Sequence, residues 1–112
     1  MAYTAKHRHA PVSARKARLM VDLIRGKGVS DALNILAFQP QRAARLLRKV
    51  VQSAQANAEN LGVADVDTLF VSKVYANEGF VMKRFSPRAR GSAAAILRRR
   101  SHLCVELDTR TE

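Results

Sequence analysis

The chain has 112 residues, room for one domain with a modest core, and its 47% apolar content argues against wholesale disorder. It carries 20 Lys and Arg against 9 Asp and Glu, a formal net charge of +11 that favours a polyanionic partner. No run of about 18 apolar residues could span a membrane, and the opening MAYTAKHRHAP lacks the apolar stretch of a signal peptide. The single cysteine, Cys104, excludes an internal disulfide and fits a reducing compartment, so the expectation is a cytoplasmic protein.

The first element that the pattern marks is a helix in APVSARKARLMVDLIRGKG. Ser13 is its expected N-cap and Gly26 stands where a glycine would stop it. Ala17, Met20, Val21 and Ile24 recur at spacings of three and four and predict one apolar face. Arg15, Lys16 and Arg18 crowd the first turns, which opposes the helix dipole unless an anion sits there.

VSDALNILAFQP predicts a second, short helix with Ser30 as its cap and Ala32, Leu33, Leu36 and Phe38 as apolar contacts. A third and longest helix is expected from about Gln41 to Asn60, before Gly62. Its apolar face is Ala43, Leu47, Val50, Ala54 and Ala58, widened by Leu46 and Val51, with Arg42, Arg45, Lys49 and Gln52 on the other side.

From Asp67 the period changes. DTLFVSKVYAN is rich in β-branched and aromatic residues, and SHLCVELD alternates Leu103, Val105 and Leu107 against His102, Cys104 and Glu106. Between these two predicted strands PRARGS is a turn cluster. Folding the chain about Arg90 sets residue 85 near 95 and residue 75 near 105, so apolar ends pair together and basic parts pair together. The base, 69–76 with 103–107, can pack on helices, whereas 80–101 has too few apolar residues for a core. Eleven residues a side would project roughly 35 Å. The fold expected is α+β: three helices packed on a small antiparallel sheet, with a long protruding β-hairpin. One domain spans 1–112, with 1–79 and 102–112 globular and 80–101 the extended arm.

The arm carries the strongest functional signal. From Lys83 to His102 it holds seven basic residues and no acid: Lys83 and Arg84 on one side, Arg88 and Arg90 at the turn, Arg98, Arg99 and Arg100 on the other. A flexible solvated loop normally mixes charge signs, so nucleic acid is the preferred partner, with affinity drawn from phosphates. Lys6, Arg8 and Arg15 join the candidate contacts.

Other constellations carry less. His7, His9, His102 and Cys104 lack zinc-ligand spacing, and a buried structural thiol with RNA-contacting histidines is the better reading. The pair Asp65 and Asp67 reads as turn acids with no third ligand nearby. No glycine-rich phosphate loop, nucleophile elbow or paired carboxylates are present, so neither catalysis nor a cofactor is expected.

The run PVSARKARLMVDLIRGKGVSDALNIL, the helix ending SAQANAEN, and the hairpin EGFVMKRFSPRARG with ILRRRSH together resemble the bacterial-type large-subunit ribosomal protein L twenty-two family. The similarity runs in order from about His9 to Val105. It implies a monomeric structural constituent of the large ribosomal subunit that binds large-subunit rRNA and assists assembly. It also implies a hairpin that lines the nascent-peptide exit tunnel near ribosomal protein L four, with the nascent chain as a passing partner.

By position in the motif, Ser13, Lys16 and Arg18 fall in the helix-start RNA contact. Lys83, Arg84, Arg88, Arg90, Arg98, Arg99, Ser101 and His102 fall in the hairpin, and Arg100 adds a phosphate contact where the family often has Thr. The tunnel-lining tip is Pro87, Arg88, Ala89, Arg90, Gly91 and Ser92. The chain departs from the family pattern after the tip glycine, where SAAAI stands in place of RADRI, and at Phe80, in place of a frequent Pro. Three other classes fit the charge alone: a DNA-bending protein with a β arm, an enzyme acting on RNA, and a basic module for acidic proteins.

Overall fold

The computed structural model describes residues 3–63, 66–87, 91 and 93–109, and side chains among these except at 66, 82–87 and 93–97. Its first helix, α1 (Ala14–Ile24), starts where Ser13 predicts. The Ser13 hydroxyl accepts the Lys16 amide at 3.4 Å, satisfying one of the helix's unpaired N–H groups. Ala17, Met20, Val21 and Ile24 are buried, a stripe whose larger members contribute about 1.5–3 kcal/mol each. Gly26 follows with φ +78°, a left-handed turn costly for a side chain, and gives its N–H to Val71 O at 3.0 Å.

Two expectations for α2 (Val29–Ala37) do not hold. Gly28 rather than Ser30 is the N-cap, because a bridge from Gly28 to Phe70 already fixes the chain there and the helix begins one residue later. Phe38 is no core contact. The buried stripe is Val29, Ala32 and Leu36, and the helix ends before Phe38, which is left 86% exposed.

Helix α3 (Arg42–Asn60) buries Ala43, Ala44, Leu47, Val50, Val51, Ala54 and Ala58, the expected face with one alanine added. Its small residues let it lie close to the sheet and to α2.

The sheet has three antiparallel strands, and the first of them, β1 (Tyr3–Ala10), is not marked in the sequence pattern. The long hairpin is β2 (Leu69–Pro87) and β3 (Ala93–Thr109), preceded by a 3-10 turn, Val66–Thr68. β3 lies in the middle, in the order β1-β3-β2.

Residue 85 pairs with 95 as expected, but Tyr75 pairs with Cys104 rather than with 105. The reason is a register shift between Glu78 and Val81, with a second between Val71 and Lys73. The latter keeps Val71 and Val74 both on the helix side, opposite Leu107 and Val105.

The helices cover one face of the sheet, where Leu69, Leu103, Val105 and Leu107 are fully buried with Ile24, Leu36 and Leu47. Both sheet edges are tied by helix side chains. Along β2, Arg18 Nε donates to Ala76 O at 3.2 Å and Arg25 donates to Val74 O at 3.3 Å. Along β1, Asn57 Nδ2 donates to Thr4 O at 2.9 Å. Edge carbonyls that could template another strand are thereby occupied.

Candidate nucleic-acid interface

Beyond its base the hairpin leaves the helices, and at that root the basic residues gather. The segment before α1, the first turns of α1 and α3, and Arg98–Arg100 of β3 enclose an open groove of ≈ 940 Å³. A second depression of ≈ 530 Å³ adjoins it, sharing Ser13, Lys16, Leu19, Arg99 and Arg100. Glu78 is the one carboxylate among the described residues that line the pair. Three elements distant in sequence thus present one sign of charge to one space, which concentrates a field able to hold anions.

The hairpin leaves the sheet through paired irregularities. In β1 the register shifts between His7 and Ala10, and His9 takes a left-handed φ of 57°. That conformation costs about 1–2 kcal/mol for a residue with a side chain. It is held on both sides: the His9 N–H donates to His102 Nδ1 at 3.1 Å, and Arg100 donates to His9 O at 3.2 Å. His9 also packs against Phe80 and His102 at ring separations of 4.8 and 4.7 Å. On β2, Gly79 passes so close to β3 that an added Cβ would lie 3.1 Å from Arg100 O.

The predicted residues fall into several groups. Ser13, Lys16, Arg98, Arg99 and Arg100 converge on the groove, and Arg15 lines the adjoining depression. Arg18 lines that depression too, but its Nε is committed to the β2 edge. Lys6, Arg8 and His102 stand elsewhere, on the sheet face away from the helices. Ser101 is enclosed: it has no solvent-exposed area, and its hydroxyl has no hydrogen-bond partner among the described residues.

Lys83 and Arg84 pair with Leu97 and Ile96, so their backbone lies on the arm. Pro87 pairs with Ala93, and Gly91 has a φ of +72°. Arg88, Ala89, Arg90 and Ser92 lie outside the described residues, as does Asp65 of the acidic pair. Among the described residues no three His, Cys, Asp or Glu side chains are grouped to hold a metal.

Sequence reasoning missed Arg42, which lines the groove beside Gln41. The signal was available: like α1, α3 has no acid in its first turn. It also missed Tyr75, the cross-strand neighbour of Cys104. The phenol pKa is raised above its ordinary value, foremost by a hydrogen bond with the Cys104 thiol, then by charge on Cys104, by burial and by Glu106.

A basic groove at the root of a long hairpin, on a sheet backed by helices, defines the class by its fold: a small α+β protein. The family model of ribosomal protein L22p/L17e matches residues 5–108, and the chain belongs to that family. It is 53% identical over 107 residues to the large ribosomal subunit protein uL22 of Geotalea uraniireducens (strain Rf4), covering 96% of each chain. The large ribosomal subunit protein uL22 of Geotalea daltonii (strain DSM 22248 / JCM 15807 / FRC-32) is similar to the same extent. The chain is a structural ribosomal protein and not an enzyme.

Proposed function

We propose that this chain is a monomeric constituent of the large ribosomal subunit in the cytoplasm, where it binds large-subunit rRNA and assists assembly. It acts as one domain: residues 1–79 and 102–112 seat the arm 80–101, and the arm lines the nascent-peptide exit tunnel near ribosomal protein L four. The observation that carries the RNA reading is the groove, where Lys16, Arg42, Arg98, Arg99 and Arg100 meet beside a single carboxylate.

Arginine suits this work. Its planar donors engage phosphate oxygens in pairs, and it stays charged at any physiological pH. Paired RNA hides its major-groove edges, so a groove of this kind reads backbone shape rather than base sequence. Phosphates entering between α1 and β3 supply the negative charge that the chain itself lacks, and they hold the arm at its root.

The test is sedimentation of a cell extract through sucrose gradients containing salt, with each fraction probed for this chain. Stoichiometric recovery with large subunits at a salt level that strips loosely bound basic proteins is the expected result. Recovery with DNA or in the soluble top fractions would reject the proposal. The variant Arg98→Gln/Arg99→Gln/Arg100→Gln should leave the large-subunit fractions at lower salt than the parent.

A further inference from the structure

The face of the sheet turned away from the helices shares no lining residue with the groove. The strand registers set Lys6, Cys104 and Tyr75 side by side across it. One row nearer the arm His102 stands opposite Asn77, and Arg8 borders the same shallow depression of ≈ 350 Å³. No carboxylate among the described residues lines it. Glu106, one row further on, is already 4.0 Å from Lys73.

The parts are those of a seat for a flat, anionic ligand. Tyr75 is 39% exposed and lies directly across from Cys104, so the strand register sets its ring on this face before anything binds. Cys104 is 3% exposed although it faces this side, in keeping with cover from its neighbours Tyr75 and Lys6. His102 Nδ1 receives the His9 N–H, which leaves Nε2 free to donate, and the Asn77 amide offers both a donor and an acceptor. Exposed Lys6 and Arg8 flank these groups.

A paired RNA stem could use the cations but not the ring, because its base faces are stacked inside. An unpaired nucleotide uses everything present: the ring for stacking, the polar side chains for a base edge, the cations for its phosphates. We propose that this open sheet face seats an unpaired RNA nucleotide, its base stacked on Tyr75 and its neighbouring phosphates held by Lys6 and Arg8. The inference rests on the RNA reading above and adds a second surface, selective for single strands.

The experiment titrates the full chain with two probes, a short oligouridine and an RNA hairpin with a fully paired stem. Binding is followed by anisotropy of the labelled RNA and by tyrosine emission. With Tyr3 buried and no Trp in the chain, quenching by stacking reports Tyr75. Oligouridine should quench that emission, and Tyr75→Leu should weaken oligouridine binding about ten-fold while leaving the paired stem unaffected. Tyr75→Phe keeps the ring and should keep the affinity, and Lys6→Gln should weaken oligouridine binding with the fold undisturbed.

If the paired stem binds but oligouridine is indifferent to both Tyr75→Leu and Lys6→Gln, the seat is overturned and the groove survives. If neither RNA binds but an acidic peptide does, the RNA reading itself falls and the seat with it.

Discussion

Ser101 is the one polar side chain that the described core encloses, and its hydroxyl is unpartnered there. Burying a hydroxyl without a hydrogen bond costs about 1–3 kcal/mol in proteins, while trimming it to a methyl leaves little empty space. Ser101→Ala should therefore raise stability by about 1 kcal/mol, seen as a higher urea midpoint at unchanged slope. Tyr75 makes a second prediction at this scale. Its folded pKa lies above the unfolded value near 10, so the folded state holds the phenolic proton more tightly. The stability this contributes is full below about pH 10 and is lost as pH rises from there through the folded pKa. Unfolding midpoints measured across that range should fall with pH more steeply for the parent than for Tyr75→Phe.

The secondary elements are held as much at the sheet edges as in the core. Arg18 and Arg25 each spend a guanidinium donor on a β2 carbonyl, so Arg18→Met and Arg25→Met should each cost about 0.5–1.5 kcal/mol by denaturant unfolding. Arg25 also pairs with Asp22 at 2.8 Å, but both side chains are more than half exposed and the pair is screened. Asp22→Asn should accordingly cost less than the loss of the arginine. Gly79→Ala is a different kind of test, because the new Cβ meets backbone that cannot rotate aside; a loss of about 1–3 kcal/mol is expected.

These contacts also show where the sequence was readable. The stripes of α1 and α3 follow the helical period and were legible residue by residue. β1 was not, since a small Ala5 and a half-buried His7 occupy its inward positions and blur the alternation. Nor were the register shifts, which depend on how two strands meet. Ser101 was legible and misplaced: it shares its strand parity with Leu103, Val105 and Leu107, which assigns it to the core side. Lys6, Arg8 and Tyr75 could be found as residues but not as a surface, because only the three-strand register sets them together.

At the scale of the molecule, shape and charge have one explanation. The chain measures 67 × 24 × 17 Å with a radius of gyration of 17.1 Å, against about 13 Å for a compact chain of this length. The excess length belongs to the hairpin, where β2 and β3 pair with each other beyond β1, and a two-stranded ribbon is marginal in water. Its root is therefore the natural place for the partner to grip, and the grip should be electrostatic. Lys16, Arg42, Arg98, Arg99 and Arg100 line the larger groove, and each phosphate neutralised there releases counterions. Five such contacts give a slope of about −4.5 for log affinity against log salt, so a four-fold rise in salt weakens binding to a paired stem roughly 500-fold. Arg99→Gln should reduce that slope by about 0.9, whereas Tyr75→Leu should leave it unchanged. A slope near zero in the parent would mean that the groove meets its partner through apolar surface, and that the arginines serve some purpose other than phosphate.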